Sequence, residues 1–315
     1  MANLTEPPIE IFPKASYRSG MVTATAKSVT VVGGIVGASG ASSGAINLGV
    51  VEKLTIGGSI VGGQEANSGT VVTGDAGSIT IKGGIFGGQS TAGSFAGLNG
   101  TLAVAGSASK VTVNGTLVAG TYGSGTELTF NGAITATGTL GTVKIGSILG
   151  NATQQAFVVA LGSNPTTPGN AEAIGKLIVR GGVSYGHVAA GQFANSSLAP
   201  ADRIGIAERP DAGIGEVGVG GDWFHSNLTA GINDAGSNGF QSTDTRDPGD
   251  AGRQAVLGPV VIGGQVLDNP NSIGFSGFGA EKIVSIPIGG VTVFKSGDAP
   301  KSLDPKEFVD IAEIP

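Results

Sequence analysis

Hydrophobic and polar positions along the chain follow one short theme that recurs. Valine-rich runs align as VTVVGGIVGA from Val29, LTIGGSIVGG from Leu54, ITIKGGIFGG from Ile79 and VTVNGTLVAG from Val111. They continue as VKIGSILG from Val143, LIVRGGVSYG from Leu177, VGVGGDWF from Val217 and VVIGGQVL from Val260, with IPIGGVTVF from Ile286 as a degenerate ninth copy. The shared pattern is apolar, x, apolar, x, Gly, x, apolar. Glycine holds the fifth position in seven of the first eight copies, at Gly33, Gly58, Gly83, Gly115, Gly181, Gly221 and Gly264, and the copy at Val143 is one residue shorter.

The alternation in V-T-V and I-T-I puts valine and isoleucine on one face and threonine on the other, the period-2 signature of a strand with one buried face. Second strand-like pieces lie between the core runs: AINLG at Ala45, TVVTG at Thr70, TLAVAG at Thr101, ELTFNG at Glu127 and AFVVALG at Ala156. Each is bounded by Gly, Asn or Ser corners. Start-to-start spacing grows from 25 to 43 residues, with the extra residues outside the recurring run, as insertions fall in solenoids. The fold class this predicts is all-β: a single-stranded parallel β-helix, or β-solenoid, of about nine irregular rungs. Stacked at about 4.8 Å per rung, it would stand on the order of 40 Å tall. Glycine at the corners is expected to supply positive φ and tight bends.

Composition sharpens this reading. Glycine accounts for 58 of 315 residues, against about 7% in ordinary proteins. At ~1 kcal/mol per glycine relative to alanine, long helices are excluded. Charged residues make up 13% and apolar ones 40%, which argues against disorder. Lys and Arg number 17 against 23 Asp and Glu, for a net charge of −6, with no basic cluster to neutralise adjacent phosphates, so nucleic acid is excluded as a partner. Glycine and polar residues interrupt every apolar stretch, so no transmembrane helix is expected. Met1–Glu10 has neither the basic nor the apolar stretch of a secretory signal, and the absence of cysteine leaves the redox compartment open.

Three regions follow: an extended N-terminal arm or cap over 1–27, a β-helix over 28–295 and a C-terminal capping segment over 296–315. The arm carries Ile9, Ile11 and Phe12 among Pro7, Pro8 and Pro13, which forbid a regular helix. It could lie over its own first rung or add to a neighbour's. In SLDPKEFVDIAEIP, Asp304 as N-cap, Pro305 at N1 and Glu307 at N3 predict a short helix with Phe308, Ile311 and Ala312 on one face. It would serve as a lid over the last turn or dock to the next subunit. Ile9, Ile11, Phe12, Phe308 and Ile311 are therefore the candidate assembly residues.

Candidate chemistry is sparse, and no catalytic or cofactor-binding set is assigned. Asp211, Glu216 and Asp222 lie near the only tryptophan, Trp223, and near His225, which would suit a sugar platform with an acid. Trp223 also occupies a column that is aliphatic in the other copies, which favours core packing. His187 reads as a surface or turn residue. The insertion from Ala230 holds a candidate calcium loop with Asp234, Asn238, Asp244 and Asp247 as ligands. Gly236 and Thr245 stand where a calcium loop needs ligands, so a solvated Asx-rich turn is the stronger reading. Thr30, Thr55, Thr80 and Thr112 should form an outward column, which β-propensity explains.

The units EVGVGGDWFHSNLTAGINDAGSNGF from Glu216 and KLIVRGGVSYGHVAAG from Lys176 resemble the repeats of large secreted bacterial glycine-rich β-helix surface proteins. The resemblance covers about Val29 to Phe294. It implies export and a cell-surface role, and no reaction. The expected function is that of a non-enzymatic extracellular structural protein, a homo-oligomer or polymer, with a cell-surface polysaccharide as a candidate partner. The alternatives are a carbohydrate-binding adhesin or a carbohydrate-active enzyme of lyase or hydrolase type. One tryptophan and 5% aromatic residues leave little material for the stacked subsites such an enzyme needs.

Overall fold

The computed structural model describes residues 9–11, 21–24, 26–90, 97–122, 130–163, 171–191, 208–233, 245–246, 253–267, 276–303 and 309–313. The recurring runs are strands: Ser28–Val31, Val51–Ile56, Ala76–Ile81, Ala108–Val118, Leu140–Leu149, Ala171–Val179, Ala212–Val219 and Val256–Ile262. Each pairs in parallel with the run one repeat later, so that Val29 meets Leu54, Leu54 meets Ile79, Ile79 meets Val111 and Val111 meets Val143. The second pieces build a second parallel sheet from Ala45–Leu48, Thr70–Thr73, Leu98–Val104, Phe130–Ala136, Ala156–Ala160, Gly186–Ala190, Asn227–Ala230 and Ser276–Ala280. The molecule is thus all-β with long parallel sheets, and the arrangement fits the β-solenoid class.

Alternation decides the core. Val29, Leu54, Ile79 and Val111 are fully buried, and so are Leu102, Ile134, Val158 and Val188 from the second sheet. Each such side chain contributes roughly 1.5–3 kcal/mol over leaving it in water. The core is one continuous apolar cluster from Ala26 to Ile311, and a smaller one holds Phe130, Phe157, Val159 and Ala189 on the other face of the second sheet. The intervening threonines Thr30, Thr55, Thr80 and Thr112 stack in register on the outer face of the first sheet.

The glycines divide into two kinds with different physics. The fifth-position glycines form a hydrogen-bonded ladder: Gly58 N–H donates to the Gly33 carbonyl, Gly83 to Gly58 and Gly115 to Gly83, each at 2.9 Å. From Gly58 to Gly264 none of them has a positive φ, contrary to the expectation for corners. Rungs approach too closely there for a side chain: a Cβ on Gly58 would lie 2.7 Å from the Gly34 nitrogen. Positive φ belongs to another column, Gly44, Gly69, Gly100 and Gly132, where the chain enters the second sheet. In the copy at Val143 the fourth position is missing, and the neighbouring strand absorbs the difference as a bulge between Val113 and Thr116.

Both ends differ from the middle. Ile9–Ile11 pairs in parallel with the first run, Ile9 opposite Val29, and Met21–Ala24 pairs with Ala45–Leu48. The degenerate ninth copy forms Lys282–Ile288, parallel to Val256–Ile262. Gly289 and Gly290 have φ of 57° and 83°, and the chain reverses into Val291–Lys295, antiparallel to the strand it has just left. Two successive positive φ angles are what a two-residue hairpin turn of type I′ requires.

The C-terminal helix expectation is corrected. Val309–Glu313 is a strand, parallel to Ser276–Ala280 with Ile311 opposite Phe278, and Lys301–Ser302 covers it in antiparallel fashion. A strand here continues the second sheet by one rung and satisfies backbone groups that a single helical turn would leave on an open edge. Ile311 is fully buried in the main core, and Ala312 points to the opposite face, against Ile232. Asp304, Pro305, Glu307 and Phe308 lie outside the described residues. No helix among the described residues is long and apolar enough to cross a membrane.

Candidate functional site

The unit around Trp223 is built as core and corner. Trp223 lies in register with Val183 and Val266 and is fully buried, its ring 5.3 Å from Phe278 and its Nε1–H donating to the Ser226 carbonyl at 2.9 Å. It offers no face to a sugar. Asp222 Oδ1 accepts the Gln265 N–H at 2.8 Å, tying one rung to the next as Ser59 Oγ does by accepting the Gly84 N–H. Glu216 faces Lys176 one rung below, with Nζ 2.7 Å from Oε2. Asp211 lies half-buried in the turn that leads into Ala212–Val219.

The two histidines are both buried. His225 has a φ of 41° and Tyr185, one rung below, a φ of 48°, and their rings meet at a 59° tilt with centroids 4.9 Å apart. These non-glycine residues hold left-handed conformations that cost of order 1–3 kcal/mol unless packing over-determines them. Packing does so here, since Tyr185 also meets Phe224 edge-on at 5.4 Å. His187, expected at the surface or in a turn, is in the strand Gly186–Ala190 at 2% exposure, 5.6 Å from the Phe157 ring. It sits on the outer face of the second sheet beside Asn227.

The candidate calcium ligands Asp234, Asn238, Asp244 and Asp247 lie outside the described residues. The base of their loop is described: Ile232–Asn233 pairs antiparallel with Thr245–Arg246. Among the candidate assembly residues, Ile9 and Ile11 are paired with Val29 and Val31, Ile311 is in the core, and Phe12 and Phe308 lie outside the described residues. No group of three or more His, Asp or Glu able to hold a metal ion occurs among the described residues.

Sequence reasoning missed a surface feature that runs along eight rungs. The eighth position of the theme forms a second column on the first sheet: Val36, Val61, Phe86, Val118, Leu149, Ser184, Phe224 and Leu267, paired in register rung by rung. Its neighbours Ile35, Ile60, Ile85, Leu117 and Ile148 are buried, so the column itself points outward. Val36 is 63% exposed, Leu267 43%, Leu149 41% and Phe86 36%, and the others are half-buried. The signal was present in the sequence as paired apolar residues, I-V, I-V, I-F, L-V, I-L, W-F and V-L. Adjacent residues of a strand face opposite ways, so one of each pair points away from the main core.

A polar face adjoins it. Lys53, Lys110 and Lys176 share one outward column at alternate rungs, with Ser78 and Thr142 between them. Lys82, Lys144 and Arg180 project from the same side of the sheet and are exposed. No protein-family model, curated protein or solved structure matches this chain.

Proposed function

We propose that the chain is a parallel β-helix of about nine rungs that works as a non-enzymatic structural protein of the cell exterior, assembling with its own copies or decorating a surface. The observation that carries this reading is the outward apolar column. A core that is already closed has no need of it, and a row of valine, phenylalanine and leucine over eight rungs, interrupted only at Ser184, is costly to leave in water until something covers it. Three of the side chains that would have served catalysis support the same reading through their structural partners: Asp222 holds a corner, Glu216 pairs with Lys176 and Trp223 fills the core. Sedimentation and negative-stain microscopy of the purified chain test it. Defined assemblies are expected, and uniform monomers at high concentration would refute self-association.

The cationic side of the first sheet favours a second reading, a carbohydrate-binding adhesin. Lysines repeated every second rung, about 10 Å apart, present a linear array to an extended acidic polysaccharide. Retention on polygalacturonate that weakens with salt and is lost in the Lys53→Ala, Lys110→Ala, Lys176→Ala triple variant would support it. Equal retention on neutral dextran would count against it.

A further inference from the structure

We infer that the outward apolar column is a two-fold interface on which a second copy of this chain packs side by side and antiparallel, so that the first rung of one copy meets the eighth rung of the other. This deepens the self-assembly reading and rests on it. The column is flanked mostly by small residues: Gly34, Ser59, Gly84, Ser147 and Gly182 precede it, and Gly37, Gly62, Gly87, Ala119 and Gly150 follow it, with Tyr185 and His225 as the bulky exceptions. Among the described flanking residues only Asp222 is a carboxylate, so an apolar partner can approach with little desolvation of charge.

Two features select a second copy as the occupant. The first is period: the ridge places one side chain per rung at about 4.8 Å, and another copy presents the same period over the same length. The second is size complementarity under reversal. A two-fold axis between rungs four and five sets Val36 opposite Leu267, Val61 opposite Phe224, Phe86 opposite Ser184 and Val118 opposite Leu149. Each pair joins a larger side chain to a smaller one, whereas parallel packing would set Phe against Phe and Leu against Leu. Such an interface is isologous and closed, which gives a dimer rather than an open-ended fibre.

The area suffices. Seven steps of about 4.8 Å by five residues of about 3.3 Å make a strip of roughly 500 Å² per copy, or about 1,000 Å² for the pair, the lower bound for a specific interface. Stacking end to end is disfavoured at the C-terminal end, where the antiparallel Val291–Lys295 replaces a parallel edge.

Light scattering coupled to size exclusion tests this on the full chain at roughly 100 µM, where any dimer with a micromolar Kd is populated. The wild type is expected at twice the 30.7 kDa chain mass, and Phe86→Lys, Leu149→Lys at the chain mass with an unchanged strand circular dichroism spectrum. Crosslinking reads the register without relying on that variant's folding, because the chain has no native cysteine. Val36→Cys and Leu267→Cys proteins should form a disulfide when mixed under mild oxidation, and neither should alone, since its own counterpart lies about 34 Å away. A dimer unaffected by the lysine variant, or one crosslinking through each cysteine alone, would overturn this interface while leaving self-association intact. A monomeric wild type would overturn both, including one that instead sediments with phosphatidylglycerol vesicles.

Discussion

At the scale of single residues, glycine does two jobs that one letter conceals. Gly58 is needed because the rung beneath leaves no room, and Gly132 because its φ is 79° and a Cβ would run into the Val118 carbonyl. Gly218, on an outward strand position, has nothing within 4 Å of a built Cβ and no positive φ. Gly58→Ala is therefore expected to destabilise by about 1–3 kcal/mol, and Gly218→Ala to stabilise by about 0.4–1 kcal/mol. Urea unfolding of the two variants checks this, and equal effects would refute the distinction. The corners rely equally on buried amides. Asn131 is fully buried, with Oδ1 accepting the Gly88 N–H at 2.6 Å and Nδ2–H donating to the Gly88 carbonyl at 3.0 Å. Asn131→Ala should cost roughly 1–3 kcal/mol for each backbone group left unpaired. A loss below 1 kcal/mol in the same assay would show that water replaces the amide. The dipeptides Ser43-Gly44, Ser68-Gly69, Asn99-Gly100 and Asn131-Gly132 mark these corners in the sequence. What they do not reveal is that the amides of Asn99 and Asn131 reach the loop of an earlier rung, whereas the hydroxyls of Ser43 and Ser68 accept the Ala38 and Gly63 N–H groups of their own turn.

At the scale of elements, the strands of the first sheet were legible from V-T-V alternation, and the second-sheet strands up to Ala156–Ala160 from short apolar runs between corners. Gly186–Ala190, Asn227–Ala230 and Ser276–Ala280 carry too few aliphatic residues to stand out, and the last two elements were not legible either. IPIGGVTVF reads as another copy, yet its Gly289-Gly290 turns the chain back, because two successive positive φ angles make a tight hairpin. DPKEFVDIAEI carries the marks of a helix start, yet Val309–Glu313 is extended, because Ser276–Ala280 offers an unpaired edge that only a strand can satisfy. Burial of Ile311 in the main core, rather than on an amphipathic lid, sets the expected cost of Ile311→Ala at about 2–4 kcal/mol. A thermal melt of that variant within a degree of wild type would contradict the strand placement. Gly289→Val should also destabilise, since a β-branched residue is a poor occupant of positive φ.

At the scale of the whole molecule, stability passes between neighbouring rungs, so the edges are the first places to open. Among the described residues the N-terminal edge is formed by the short strands Ile9–Ile11 and Met21–Ala24, whereas the C-terminal edge is closed by Val291–Lys295 and by Lys301–Ser302. Hydrogen exchange should therefore show the strongest protection in Leu140–Leu149 and Ala171–Val179, falling more steeply toward the N terminus than toward the C terminus. Uniform protection, or the reverse gradient, would refute this. The sequence by itself determined the strand character, the inward columns and the glycine ladder, because alternation and bond geometry act within a few residues. Tertiary structure alone decided the rest: which glycines adopt positive φ, which of two adjacent apolar residues meets solvent, that His187 is buried, and that the final segment is a strand. Those outcomes depend on what lies one rung away, 25 to 43 residues distant along the chain, and on which backbone edge is left without a partner.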